Sequence, residues 1–191
     1  ATVSGGGVDL RQISSDNIES VEVIKGIPSV MYGDLTSGAV LVNTKAGYSP
    51  LNVRLKTDPK IKQMAINKGF KIPKTNSFLN FNMDYLSSVT DVVSKYKGYK
   101  RLTAQTAYTT TLMKSTMPLS FNAKLNVFGT VDNEKTDPDA MVALEEFETK
   151  DQGIRLNLNG KWKLDKKILT DIKYTFAVSY THQESYEMRY R

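Results

Sequence analysis

Residues 18–47 read IESVEVIKGIPSVMYGDLTSGAVLVNTKAG, and this stretch decides how the rest of the chain is interpreted. The apolar-rich run from Ile18 to Ile24 predicts a buried strand, and the run from Ala39 to Val42 predicts a second one. Between them, Pro28 suits the first turn of a short helix that ends by Gly33. The stretch therefore predicts a compact α/β module with glycines at its turns.

After Gly47 the pattern changes to an alternation of apolar and polar residues that lasts almost to the end of the chain. From Leu119 to Val131, for example, most odd positions are apolar and most even positions are polar. This alternation is typical of strands with one apolar and one polar face. It predicts seven strands, over residues 51–57, 61–72, 78–87, 100–113, 119–131, 152–164 and 169–190.

Two architectures share this alternation. A soluble β-sandwich shows it because one face of each sheet packs on a core. An outer-membrane β-barrel shows it together with short turns at one end and long loops at the other, and here the predicted connections over 88–99 and 132–151 are long. The barrel is favoured by strands longer than the usual five or six residues and by aromatic residues on the apolar faces. These aromatic residues are Tyr85, Tyr108, Trp162, Tyr174 and Tyr180.

Composition argues against several other classes of protein. The 191 residues include no cysteine and one histidine, His182, which disfavours disulfide scaffolds, thiol nucleophiles and Cys/His metal sites. The net charge of +6 is scattered rather than clustered, so nucleic acid is not an expected partner. We therefore expect no enzymatic activity, no metal and no cofactor, and we expect His182 to face solvent on the outer extension of the last strand.

The opening stretch also resembles a known family. A strand of the form I-E-x-V-E-V is followed by Lys25-Gly26, by Tyr-Gly, by a small-residue segment, by a second strand and by T-K-x-G. This order resembles the C-terminal half of the plug domain of TonB-dependent outer-membrane receptors. The motif residues that the resemblance implies are Glu19, Glu22, Lys25, Gly26, Tyr32, Gly33 and Gly38.

The resemblance implies a fold class, a plug α/β module followed by antiparallel transmembrane β-barrel strands. Residues 1–47 would be the C-terminal part of the plug, and residues 48–191 would be the first seven or so strands of a barrel of roughly 22 strands. The parent receptor would lie in the cell outer membrane of a Gram-negative bacterium. It would import a scarce nutrient (siderophore, haem, cobalamin, peptide or glycan) with energy from TonB.

The implied partners are TonB, reached through a segment upstream of Ala1, together with outer-membrane lipid, a small nutrient ligand and a surface lipoprotein. A soluble β-sandwich that acts as a binding or adhesion module is the alternative. For substrate contact we expect aromatic residues of the long loops, namely Tyr96, Tyr99 and Phe147, because loops on a rigid scaffold usually carry binding.

The polar strand faces are predicted to form a basic wall that complements plug carboxylates such as Glu19 and Glu22, complements the incoming substrate, or is simply solvated charge. The basic residues of this wall are Arg54, Lys56, Arg101, Lys124, Arg155, Lys161, Lys163 and Lys173, set against Asp84 and Asp171.

Overall fold

A computed structural model of the protein describes residues 18–25, 39–44, 47–92, 96–112, 117–136, 145–166 and 169–189. The chain divides into two compact units, of which the smaller is Ser14–Lys45 and the larger contains the main sheet. Strands make up most of the described residues, and none of those residues forms a helix that could span a membrane. The short helix predicted at Pro28 lies outside the described ranges.

The smaller unit contains one antiparallel pair of strands, β1 (Ile18–Ile24) and β2 (Ala39–Thr44). Asn43 links the two strands, because its side-chain amide donates hydrogen bonds of 3.0 Å to Ser20 Oγ and to Glu22 Oε1. Both strands that the sequence predicts in this stretch are therefore present, but their predicted burial is wrong, because Val21, Val23 and Val40 are 52%, 64% and 52% exposed.

The larger unit contains a seven-stranded antiparallel sheet in which each strand pairs with the next one along the chain. The strands are β3 (Ser49–Thr57), β4 (Ile61–Ile72), β5 (Ser77–Val89), β6 (Lys97–Leu112), β7 (Leu119–Lys135), β8 (Glu145–Lys163) and β9 (Asp171–Arg189). The connections at residues 73–76, 113–118 and 164–170 lie at one end, which we call the turn end. Those at 58–60, 90–96 and 136–144 lie at the other, which we call the loop end.

Each predicted strand overlaps one observed strand, but several strands continue further at the loop end than predicted. The expectation of long loops over 88–99 and 132–151 is wrong, because Tyr99 pairs with Asp132 and Phe147 pairs with Glu134 in the ladder. These segments carry polar residues on both faces, so alternation gives no signal for them. Connections at the loop end are consequently shorter than the sequence suggests.

Successive side chains of a strand point to opposite faces of the sheet, and the register carries each face across the strands. One row runs through Phe81, Thr106, Leu125, Leu156 and Val178, and it lies on what we call the apolar face. The next row runs through Asn82, Gln105, Asn126, Arg155 and Ser179, and it lies on what we call the polar face.

Burial in this sheet is inverted relative to a water-soluble protein. On the apolar face Phe81 is 41% exposed and Val178 is 50% exposed, whereas on the polar face Asn82 is 3% exposed and Asp84 is fully buried. The buried hydrophobic residues of the described chain are Ala65, Ala107 and Phe128. Soluble proteins show the reverse order, with large apolar side chains inside and carboxylates outside.

Where the chain enters the sheet at the turn end, it passes closely over Gly69. A Cβ atom at Gly69 would lie 2.6 Å from the backbone nitrogen of Ser49 and 2.7 Å from Nδ2 of Asn80. Gly47 precedes this crossing with a φ of 97°, a conformation that L side chains rarely adopt. Glycine at both positions allows the first strand of the sheet to approach β4.

Candidate functional site

The apolar face carries an aliphatic band between two aromatic rims. Tyr85 and Tyr180 lie toward the loop end, while Tyr108, Trp162 and Tyr174 lie toward the turn end. The residues between the rims include Phe81, Met83, Leu125, Val127, Leu156, Phe176 and Val178. On β9 the band runs from Ile172 to Tyr180. This length matches the roughly 9–11 residues that a tilted strand needs to cross a bilayer.

Local contacts fix the rim at the turn end. Tyr174 lies opposite Gly160, and its ring occupies the space that a Cβ at Gly160 would need. The Tyr108 hydroxyl donates to Ser77 Oγ at 3.3 Å, and Ser77 Oγ lies 2.8 Å from Thr110 Oγ1. Both tyrosine rings are therefore held in position by neighbouring strands.

The polar face contains a buried ion pair. Asp84 lies 2.5 Å from Nη2 of Arg101, and its second carboxylate oxygen accepts a hydrogen bond of 2.8 Å from Nε2 of Gln63. The side chains of Asp84 and Arg101 are 0% and 7% exposed. Because a buried charge is stable only when it is paired and hydrogen-bonded, this contact ties β4, β5 and β6 together.

A row of carboxamide side chains crosses the polar face near its middle. Each amide lies directly opposite the next, in the order Asn52, Asn67, Asn82, Gln105 and Asn126. Nδ2 of Asn67, Nδ2 of Asn82 and Oδ1 of Asn126 are buried without a hydrogen-bond partner among the described residues. Buried polar atoms normally find a partner in protein or water, so this face suits an aqueous environment. Sequence reasoning missed the row, because only the register brings these residues together.

Next to the amide row, an aromatic ring is enclosed on the polar face. Phe128 is 2% exposed and lies opposite Gly153, where an added Cβ would come within 2.8 Å of the ring. The guanidinium of Arg155 lies 4.3 Å from the ring centroid, within cation–π range. The absence of a side chain at Gly153 makes room for Phe128, which in turn supports Arg155.

Charges on the polar face are divided by the amide row. Toward the turn end the charged residues are Lys71, Lys124, Lys161, Lys163, Lys173 and Asp171. Toward the loop end they are Arg54, Lys56, Lys97, Arg101 and Arg189 with Asp84, Asp132, Glu134, Glu145, Asp151 and Glu187. The predicted basic wall is therefore correct only for the half near the turn end, because the strand extensions add acidic residues to the other half.

A cleft of about 520 Å³ opens at the loop end, between the β5–β6 connection and the ends of β7 and β8. It is lined by Thr90, Asp91, Tyr96, Lys97, Glu134, Lys135, Thr136, Glu145 and Phe147, and we call it the rim cleft. Its walls are tied together, since the backbone N–H of Lys135 donates to the Tyr96 carbonyl at 2.8 Å and Thr136 exchanges hydrogen bonds with Glu145. The cleft combines two aromatic rings with charged groups of both signs.

The structure brings together two of the three aromatic residues predicted to contact substrate. Tyr96 precedes β6 and Phe147 lies within β8, and both line the rim cleft. Tyr99 lies in β6 rather than in a loop and lines a separate hollow with Ser88 and Asp132. The substrate-binding role of all three stays a prediction.

On the opposite side of the projecting strands, β8 and β9 carry a network of polar contacts beyond the apolar band. His182 Nε2 lies 3.1 Å from Glu184 Oε1, and the Tyr186 hydroxyl donates to Glu184 Oε2 at 3.0 Å. These hydrogen bonds, first that of His182 and then that of Tyr186, lower the pKa of Glu184. The Glu148 carboxylate, 2.6 Å from Nζ of Lys150, raises the pKa of that lysine. His182 is exposed, as the sequence predicts.

Of the predicted plug-motif residues, the structure describes Glu19, Glu22 and Lys25, all three exposed on or beside β1. The remaining motif residues, Gly26, Tyr32, Gly33 and Gly38, lie outside the described ranges. In the part of the chain that is described, no group of three or more His, Cys, Asp or Glu side chains is arranged to hold a metal ion.

The fold and the two faces define an antiparallel up-and-down sheet with an exposed apolar band. Residues 2–40 match the protein-family model described as TonB-dependent Receptor Plug Domain. This match confirms the resemblance predicted from the opening stretch and is consistent with a fragment of a TonB-dependent receptor, a class associated with the Gram-negative outer membrane. Searches of curated proteins and of solved structures gave no significant match.

Proposed function

We propose that the chain is part of a TonB-dependent outer-membrane receptor that imports a scarce nutrient, with the apolar face of its sheet against lipid. The observation that carries this proposal is the inverted burial of the sheet. A β-sandwich would pack such a face against a second sheet, whereas here Leu125 of β7 is 43% exposed and Ile154 of β8 is 50% exposed, although both strands have neighbours on either side. Exposed apolar patches of this extent are rare on soluble monomers.

Trp162 adds support for a membrane interface. It lies in the aromatic rim at the turn end, opposite Leu119 and Ile172. Tryptophan favours the membrane–water interface, where the ring meets hydrocarbon while the N–H meets water or lipid headgroups. The position of Trp162 in the rim therefore fits a membrane interface.

In this proposal the loop end faces the outside of the cell. The strands β7, β8 and β9 continue past the apolar band at that end, and the rim cleft lies between the projecting segments. Nutrient binds in the cleft through Tyr96 and Phe147, and TonB supplies the energy for its passage. The protein performs no covalent chemistry on the nutrient.

Single cysteines on β9 provide a direct test, because residues 1–191 contain no native cysteine. Spin labels at Phe176→Cys and Val178→Cys should be accessible to oxygen in lipid bilayers. Labels at Thr175→Cys and Ala177→Cys should instead be accessible to a water-soluble nickel chelate, because alternate side chains face opposite sides of the sheet. Collision rates measured by electron paramagnetic resonance distinguish the two environments.

Labels at Ser185→Cys and Tyr186→Cys serve as controls, since both lie in the projecting part of β9 and should report water. Water accessibility at all band positions would contradict the membrane placement. A folded monomer that purifies without detergent would favour the alternative, a soluble β-sandwich binding module.

The rim cleft is tested by uptake in cells that depend on the receptor. The double variant Tyr96→Ala, Phe147→Ala removes both rings from the cleft and should reduce uptake of the cognate nutrient by about tenfold or more, the effect of losing roughly 1.4 kcal/mol of binding. Phe70→Ala, near the turn end of β4 and outside the rim cleft, is the matched control and should leave uptake unchanged. Equal uptake by all three proteins would exclude the cleft as the nutrient site.

A further inference from the structure

The turn end of the polar face carries lysines that the proposed nutrient cleft does not use. Lys161 and Lys173 lie directly opposite each other across β8 and β9, and Lys163 lies opposite Asp171. Because the side chains of a strand alternate between faces, all four point to the same side of the sheet. We call Lys161, Lys163 and Lys173 the lysine cluster.

Charge within the cluster is only partly balanced. Among the described residues, the ion pair of this cluster joins Lys161 Nζ to Asp171 Oδ2 at 2.7 Å. Three ammonium groups therefore share one carboxylate, since Lys163 and Lys173 flank the same aspartate. The side chains of Lys161 and Asp171 are 41% and 30% exposed, so a solute can reach them.

The register makes this arrangement unfavourable without a further negative charge. Like charges directly opposite each other destabilise an antiparallel strand pair. Elsewhere in the sheet opposite charges face each other, as with Lys97 and Glu134 or with Lys135 and Glu146. The pairing of Lys161 with Lys173 departs from that arrangement, and a bound anion would remove the repulsion.

Neighbouring side chains on the same face add hydrogen-bonding groups. Ser120 lies opposite Lys161, and Asn159 lies opposite Thr175 in the adjacent row. Ammonium and amide N–H groups together form the kind of donor set that binds phosphate and carboxylate oxygens, whereas the Ser120 hydroxyl already donates to the Lys161 carbonyl at 3.4 Å. The face is the polar one, so the ligand arrives from water rather than from the lipid that we place against the apolar face.

We propose that the lysine cluster is a binding site for a small polyanion, a solute that carries two or more phosphate or carboxylate groups. Two or more charges are needed because Lys163 and Lys173 remain after Lys161 has paired with Asp171. The site lies at the opposite end of the sheet from the rim cleft, so it is separate from the proposed nutrient site.

The test is calorimetric titration of the full-length protein, in a non-ionic detergent, with pyrophosphate and separately with citrate. The variant Lys161→Gln, Lys173→Gln should bind the preferred anion at least about tenfold more weakly, because it loses two charge-assisted contacts. Binding to the natural sequence should also weaken as salt is added. A preference for pyrophosphate or for citrate identifies phosphate or carboxylate as the recognised group.

The matched control is Lys62→Gln, Lys68→Gln, which removes the same charge from the apolar face. This control should bind the anion with an affinity within about twofold of that of the natural sequence. In binding free energy this difference is less than about 0.5 kcal/mol. Lys163→Gln alone should give an intermediate loss, which keeps the test decisive if the double variant folds poorly. The proposal is overturned by absent binding to the natural sequence or by equal losses in the variants of the two faces.

Discussion

At the scale of single residues, the buried pair of Asp84 and Arg101 is the most consequential contact of the polar face. Its carboxylate is fully buried, so the pair is not screened in the way that exposed ion pairs are. Lys97 and Glu134 provide an exposed comparison in the same sheet, with side chains 55% and 54% exposed.

Asp84→Asn should therefore destabilise the protein by about 3–5 kcal/mol, because it leaves the charge of Arg101 buried without this carboxylate. The matched change Glu134→Gln should cost about 0–1 kcal/mol, as expected for an exposed pair. Urea unfolding in detergent micelles measures both free energies. Equal losses in the two variants would show that burial does not set the strength of the pair.

A second residue-scale prediction concerns Glu184, which lies in the projecting part of β9. His182→Ala removes the largest cause of its lowered pKa and should raise that pKa toward the ordinary value. Tyr186→Phe removes a smaller cause and should raise it less. Carbon-13 NMR titration of the carboxyl group measures both shifts.

The direction of the shift fixes how this contact depends on pH. The pKa of Glu184 is lowered in the folded protein, so its stabilising contribution is present above the unfolded pKa. The contribution is lost as the pH falls through the lowered folded value. If the pKa of Glu184 rises more in Tyr186→Phe than in His182→Ala, the assigned order of the two causes is wrong.

At the scale of the strand, β8 depends on two glycines that make room for aromatic rings from its neighbours. Phe128 of β7 lies against Gly153 on the polar face, and Tyr174 of β9 lies against Gly160 on the apolar face. Aromatic rings that cover a glycine of a neighbouring strand help to fix strand register. The two pairs act on opposite faces and thus hold β8 against both neighbours.

Gly160→Ala should destabilise the sheet by about 1–3 kcal/mol, because the new methyl group would clash with the Ser120 carbonyl oxygen and with the Tyr174 ring. Gly129→Ala is the control on the same face, where an added Cβ meets no atom within 4 Å. That change should be neutral or stabilising by up to about 1 kcal/mol. Thermal unfolding in detergent compares the stabilities of the two variants. An equal loss of stability in Gly129→Ala and Gly160→Ala would refute the predicted clash at Gly160.

At the scale of the whole molecule, sequence predicts the strands of the apolar band well and the rest less well. Alternation located β4 with its observed bounds, because one face of that strand is apolar over most of its length. The projecting segments of β7 and β8 were missed, since polar residues on both faces leave the hydrogen-bonded ladder as the only evidence of a strand. An alternating sequence pattern arises where one face of a strand is apolar, and these segments have no apolar face.

The candidate sites divide in the same way. The sequence predicts Tyr96 and Phe147 as substrate contacts in two loops, but only the structure shows that they share one cleft. The amide row and the opposition of Lys161 to Lys173 depend on partners that are distant in the sequence. Neither could be found without knowing which residues face each other.

The projection of the strands beyond the apolar band has a thermodynamic consequence. In that part exposed ion pairs such as that of Lys135 with Glu146 join β8 to β7, and salt weakens them because the Debye length falls to about 3 Å at 1 M. From Ile154 to Trp162 the same strand depends instead on its apolar surroundings, which salt screening does not affect. High salt should therefore weaken the side-chain contacts of the projecting part, by at most about 1 kcal/mol per exposed pair, and leave those of the band unchanged.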